Sequence, residues 1–380
     1  MNIQNKFIGI LTFLLSPIIS FIFVIANYLR SKTLSNPFFL ILTVSIFLSL
    51  INSVKVVESD LVLYLRQFEL SKELTYLGYI FVNIKDPFFY SFNYIFYNFI
   101  TTDFQFYIFS LSLLSYCFLL LSIFNFSKWI GLDYRFSLFS LLIAALFPQI
   151  FSFSAHLLRQ FFAMSVGFYA LSIYFLDDKK KIGIILLFIS CLIHSSNLLF
   201  FSLLFLSFSP KKLFKLSFLI TPIIVYLYSI VSIDNPLLGG FVRLKNITSG
   251  SAELDSVGTK VVIVCVIIIL FNFGINRIIK PTQNKITLDR FFIFFNIVFF
   301  FFFVTNNSEL SNRLIINIYL FWPLLFSYFL HSLKIKRLLI FPSLMFFSIF
   351  FSYNLFYGVW SYEDLEIILF PLKLLISNLS

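Results

Sequence analysis

The 380-residue chain is 60% hydrophobic and only 12% charged, with a mean hydropathy of +0.96 and a formal net charge of +11. Repeated uncharged runs of about 20 residues match the length a helix needs to cross a bilayer, so the composition points to an all-α, polytopic integral membrane protein and excludes an ordinary soluble enzyme. The longest polar stretches, 55–85 and 233–260, are too short to bury a sizeable core of their own, so function must lie in the helices and their connecting loops.

The first apolar run, 7–29, exceeds a signal-peptide core and is followed by Arg30 and Lys32 without a small-residue cleavage pattern, so it reads as one retained helix. Further helices are expected over 37–54, 104–126, 136–153, 157–176, 214–232, 261–275, 291–304, 314–330 and 338–356. With 182–208 this makes about 11 transmembrane or re-entrant helical segments in a single multi-span domain over 1–380. A first large periplasmic loop falls at 55–103 and a second at 233–260. In the first, the Tyr, Asn and Phe mixture after Asp86-Pro87 suits an amphipathic helix lying in the membrane interface. Cys117, Cys191 and Cys265 sit in separate apolar runs and give neither a disulfide framework nor metal-ligand spacing. The 58 phenylalanines suggest an A/T-rich, bacterial genome.

Segment 182–208 is too long for one upright helix, because about 27 residues at 1.5 Å each overshoot a hydrocarbon core of about 30 Å. It is either one tilted helix or two short ones. The positive-inside rule favours a re-entrant hairpin turning near His194, since that arrangement puts 17 of the 28 basic residues on one face, which then carries a formal +13 against −2 on the other. The +13 face is the cytoplasmic one. The positive charge is therefore a topology signal and implies no nucleic-acid binding.

The outer face then collects the polar residues without a topological explanation: Glu58, Asp60, Tyr64, Arg66 and Asp86 in the first loop, His156 and Arg159 sharing a helix face, Gln160, His194, Arg243 and Lys245, and Glu309 with Arg313. Ionisable groups at the head of a membrane helix cost free energy and usually persist where they contact something. Cations facing acidic groups and a histidine fit a site for a lipid-linked diphosphate, because arginine presents a planar fork to phosphate oxygens and stays charged in a poorly hydrated cleft. Such a clamp stabilises a leaving diphosphate, while Asp60 or His194 removes a proton from an attacking hydroxyl. Each residue also has a plainer reading. Arg159 can anchor a helix end by snorkelling, His194 can hold its turn through Ser195, Ser196 and Asn197, and Glu58, although Glu58-Ser59-Asp60 is a short match to a divalent-metal loop, can be a solvated loop charge. No cofactor is expected, and a divalent metal is not favoured. Tyr90, Tyr94 and Tyr97 are candidates for stacking on sugar rings.

These residues resemble the EpsG-like, Wzy-type polysaccharide polymerases. The resemblance rests on Asp60-x3-Tyr64, Asp86-Pro87-Phe88-Phe89-Tyr90 where the family tends to have Glu-Pro, Arg159-Gln160-x2-Ala163, His194 with Ser196, and Arg313-Leu314 followed by Tyr319 and Pro323. It spans about residues 55–330. Two departures stand out: Asp86 replaces the more usual Glu, and Ser59 occupies the usual Gly position before the first-loop Asp. The resemblance implies a GT-C-like architecture in the bacterial inner membrane and periplasmic joining of undecaprenyl diphosphate-linked oligosaccharide repeats for capsule, O-antigen or exopolysaccharide. In that scheme Arg159 and Arg313 bind the diphosphate, Gln160 positions it, Tyr64, Asp86 and His156 complete the binding set, and Asp60 or His194 is the base. Partners are the lipid-linked substrates and the bilayer, with other polysaccharide-assembly membrane proteins allowed. The rival readings are a flippase for lipid-linked sugars, against which the absence of an internal repeat speaks, and a membrane acyltransferase acting on sugars.

Overall fold

The computed structural model describes residues 3–30, 37–176, 179–206, 266–267, 269–270, 272–277, 281–304, 308–333, 336–358, 360–363 and 365. The expected helix 214–232, the loop 233–260 and most of 261–275 lie outside the described residues, as do Arg243, Lys245 and Cys265. Among the described residues every regular element is helical, apart from one antiparallel bridge between Lys55 and Tyr362. Three helices among the described residues are long and apolar enough to cross a membrane, or four if one bent pair counts as a single span.

The first run is not one helix. It forms α1 (Ile3–Leu15) and α2 (Pro17–Arg30). Asn5 donates to Asn27 at 3.2 Å and Ser20 donates to the Gly9 carbonyl at 2.7 Å, whereas 22 residues of straight helix would separate Asn5 from Asn27 by about 33 Å. Pro17, with no N–H and a fixed φ, starts the returning helix. Lys6 and Arg30 thus lie toward the same end.

Helix α3 (Phe38–Ser53) follows its expected bounds closely. Three short helices then form the first loop: α4 (Asp60–Leu70), α5 (Tyr76–Val82) and α6 (Pro87–Phe99). Their core is a borrowed one. Leu61, Phe68, Tyr79, Phe89 and Phe96 pack with Tyr107, Leu158 and Phe162 at the heads of two long helices, so about 40 residues of loop find the apolar partners they cannot supply alone.

Those long helices are α7 (Phe104–Trp129), whose first turn Asp103 caps by accepting from the Gln105 N–H at 2.8 Å, and α10 (Leu158–Leu176). They run parallel, with Tyr116 on Phe161, Asn125 donating to Ser172 at 3.1 Å, and Trp129 on Phe175. Between them in sequence come α8 (Tyr134–Leu146) and α9 (Pro148–His156), bent by 52° where Pro148 removes a donor. Helix α11 (Lys180–Ile193) returns antiparallel against α10. The approach is close at Gly183, where an added Cβ would sit 2.9 Å from the Tyr174 Cβ and 3.0 Å from the Ala170 carbonyl. At His194 the helix ends, a 3-10 turn covers Ser195–Asn197, and α12 (Leu198–Leu206) begins.

Helix α13 (Gln283–Val304) starts eight residues before the expected span. A two-residue turn separates α14 (Ser308–Tyr319) from α15 (Trp322–Ser332), and α16 (Lys336–Tyr357) contains Pro342. One end of the bundle is tied by Asn284 donating to the Trp129 carbonyl at 2.7 Å and by His331 facing Asp133 at 3.8 Å. The opposite end carries the first loop, the heads of α7 and α10, and residues 360–363.

Candidate functional site

Asp86 sits in the N-cap position of α6, ahead of Pro87, yet makes no capping bond to its own helix. Its carboxylate turns inward. Fully buried, it accepts the Ser195 N–H at 3.2 Å through Oδ1 and faces Arg159 Nη1 at 3.0 Å through Oδ2. One residue therefore ties α6, α10 and the break between α11 and α12 together. Burial pushes the Asp86 carboxyl above its ordinary range, and the opposing attraction of Arg159 and Lys85 offsets part of that rise.

Arg159, in the first turn of α10, donates from the same Nη1 to the Tyr90 hydroxyl at 2.9 Å and lies near the faces of Phe89 and Tyr90. Its Nε is buried and has no hydrogen-bond partner among the described residues. Tyr64 packs edge-on against Phe89 and meets the Arg159 backbone through its hydroxyl; burial raises the phenol pKa of both Tyr64 and Tyr90. Arg159 thus does more than anchor a helix end: two protein groups hold one side of its guanidinium and part of the fork remains unused.

Beside this lies a second group. His156 closes α9, stacks on Trp360 with ring centroids 4.4 Å apart, and brings Nε2 to 3.8 Å from Asp60 Oδ2. Asp60 is 36% exposed at its side chain and opens α4 directly after Ser59, whose φ of +54° is a backbone conformation glycine adopts more easily. The other face of this group is Lys55, 3% exposed, donating to the Ala155 carbonyl at 3.2 Å and lying 3.8 Å from the Trp360 ring centre. Burial pulls its ammonium down to about 8, against the opposing pull of Glu58 and Asp60. Residues 360–363 form a strap: Val56 donates to the Ser361 carbonyl at 3.0 Å, Glu363 to the Val54 carbonyl at 2.7 Å, Ser361 to Glu58 Oε1 at 3.3 Å, and Trp360 Nε1 to Ser152 at 2.7 Å.

Of the residues singled out in the sequence, Asp60, Tyr64, Asp86, His156 and Arg159 are gathered into this one region. His194 belongs to the turn next to it: Nδ1 accepts the Ser196 N–H at 3.2 Å and lies 2.7 Å from the Ser196 hydroxyl, which places a neutral ring's proton on Nε2. Gln160 is buried one residue beyond Arg159, about 100° around the helix. Glu309 and Arg313 fall on α14, and their side chains lie outside the described residues. Tyr94 and Tyr97 pack on Tyr76, Tyr79 and Phe68 within the loop's own aromatic cluster.

The profile of the EpsG family matches residues 36–363, a stretch that runs from the head of α3 through the strap. The chain belongs to the EpsG family. No curated protein and no solved structure matches it. EpsG-family membership associates it with exopolysaccharide biosynthesis, and the matched stretch contains every residue of the polar region described above.

Lys55 and Trp360 did not emerge from the sequence. Lys55 read as the first residue of a polar loop, and Trp360 lies about 300 residues away. The available signal was a lysine directly abutting an uncharged run, with one of only three tryptophans in a short polar stretch near the other limit of the family match.

Proposed function

We propose that this EpsG-family protein is a polysaccharide polymerase that joins undecaprenyl diphosphate-linked repeats at the periplasmic face of a bacterial inner membrane. The observation that carries the reading is the half-buried Arg159 guanidinium, fixed on one side by the buried Asp86 and by Tyr90 and holding a donor unused among the described residues, next to the half-buried Asp60–His156 pair. The donor's diphosphate takes the free side of the fork. The acceptor hydroxyl attacks the donor's anomeric carbon, the bond from that carbon to the diphosphate oxygen breaks, and the polyprenyl diphosphate leaves with the electron pair. Arg159 stabilises the charge that develops on it. The hydroxyl proton passes to the Asp60–His156 pair. With its Nδ1 engaged by the turn, His194 offers Nε2–H as a donor on this reading, which favours the Asp60–His156 pair as the base. Gln160 and Arg313 remain candidate diphosphate ligands on this reading, within a GT-C-like scaffold of about 11 segments.

The same topology makes 182–208 a re-entrant hairpin. Asn197 approaches Gly167, three residues from His194 but already level with the middle of α10, and Phe200 lies on Phe295 of α13. Both contacts support a chain that turns back into the bundle. A cysteine placed at Lys212 should stay unlabelled by reagents confined to the outer side; outside labelling would rule the hairpin out.

The deciding experiment incubates the purified protein in proteoliposomes with a lipid-linked repeat. A ladder of longer glycans, lost in Asp60→Asn, is the expected result. Translocation without new glycosidic bonds points to a flippase, acyl transfer to an acyltransferase, and either outcome overturns the polymerase reading.

A further inference from the structure

A second feature lies outside the donor clamp. Between α2, α3, α8 and α16 runs an apolar groove of about 420 Å³, within the size range of ligand sites (~300–1,000 Å³). Ile51, Leu146 and Phe351 form its buried floor, and Ile22 and Phe356 stand exposed on its rim. Its polar interruptions are two serines, Ser348 and Ser352. The exposed rim lets a hydrocarbon chain slide in from the bilayer without passing through water.

One end of this groove leads to a cation. Ile51 precedes Lys55 along the chain by four residues, and Phe356 precedes Trp360 by as many. The Lys55 ammonium has three donors, of which one reaches a hydrogen-bond acceptor, the Ala155 carbonyl, among the described residues. Contacts continue from Lys55 to Trp360, to His156 and to Asp60, then through Tyr64 to Arg159. The carboxylate–histidine pair therefore stands between Lys55, next to the groove, and the arginine clamp in this series of contacts.

We infer that the groove seats the isoprenoid tail of the second, acceptor lipid, with its anionic head drawn toward Lys55. The inference rests on the polymerase reading, in which two lipid-linked substrates must be held at once. The occupant's chemistry follows from the lining and its neighbour: hydrocarbon along the groove, with the Lys55 charge four residues beyond Ile51, matches an amphiphile with a long apolar tail and a phosphate-bearing head. The arrangement leaves the acceptor's sugars free to reach the Asp60–His156 pair while the donor's diphosphate occupies Arg159.

The test uses the full chain in nanodiscs with a photoactivatable polyprenyl diphosphate, and mass spectrometry to locate the adducts. Adducts on Ile22, Ser352 or Phe356 that unlabelled undecaprenyl diphosphate displaces, and that phosphatidylglycerol does not, support the site. Ser352→Trp, at an exposed rim position, should fill the groove and cut this labelling about tenfold. Labelling displaced equally by phosphatidylglycerol overturns the inference in favour of ordinary membrane lipid, and a cross-link between two copies across the groove overturns it in favour of self-association. The polymerase reading fails separately. Groove labelling without any chain growth leaves the lipid site standing and removes the polymerase, whereas chain growth in Ser352→Trp with an unchanged KM for acceptor removes the groove and leaves the polymerase.

Discussion

Each end of the bundle buries an ion pair, and the two pairs are built differently. At the end that carries Trp129 and Asp133, Lys285 and Asp289 form an i, i+4 pair on α13; the ammonium also donates to Asn272 at 3.0 Å and lies 5.0 Å from the Tyr328 ring centre. Both Asp289 oxygens are engaged, by Asn272 and Asn276 at 2.7 Å each. At the opposite end Arg159 faces Asp86 and Tyr90 through a single nitrogen, and its Nε is unsatisfied among the described residues. A buried charge whose hydrogen bonds close within the protein clips helices together. One that keeps a donor in reserve carries a standing desolvation penalty that a ligand relieves. On the proposed function the first pattern belongs to scaffold and the second to a site.

The sharpest way to break this contrast is to alter one partner at each end. Asp289→Ala strands a buried ammonium and should cost about 3–5 kcal/mol of stability, read as a lower thermal midpoint in detergent. Arg159→Lys should instead leave that midpoint nearly unchanged while chain growth falls roughly a hundredfold, the typical loss for one transition-state donor. Equal losses of stability from the two substitutions would erase the distinction. Tyr90→Phe frees a second guanidinium donor without altering charge; the expected result is about a fivefold change in donor KM, equivalent to about 1 kcal/mol, with little change in folding. Ser59→Gly relaxes the positive φ ahead of Asp60 and should raise stability by roughly 1 kcal/mol, measured by denaturation midpoint.

A further effect is a pH dependence. Lys55 holds its proton less well in the fold, near 8, than the 10.5 of a free side chain. Between those values the unfolded chain binds more protons, so this group makes stability rise with pH across that window, and below about 8 its penalty is fully present. The difference in midpoint between wild type and Lys55→Met, followed from pH 7 to 10.5, should show that slope; a flat difference would mean that Lys55 is solvated like a surface lysine.

How much of this was legible beforehand differs by element. Long uncharged runs announced α3, α7, α10 and α16, because hydrocarbon length alone sets them. The fold-back at Pro17 and the bend at Pro148 were not, because a proline lowers the cost of a break without dictating the direction the chain takes afterwards. Around the site, Arg159, Asp86 and Asp60 stood out as charges beside apolar runs. Their pairing did not, since Asp86 before Pro87 also reads as an ordinary helix cap, and nothing local in the sequence aims its carboxylate at α10. Lys55 and Trp360 needed the fold itself, because their contact closes a loop of about 300 residues.

That closure has a consequence for biogenesis. The strap at 360–363 is among the last described parts of the chain to leave the ribosome, yet it completes the surroundings of His156 and Lys55 near the beginning. A nascent chain stalled before Trp360 would already display Arg159 and Asp86 but would lack the indole that orders their neighbours. On the proposed function, competence therefore arrives late, once the strap has been made and has docked on His156 and Lys55.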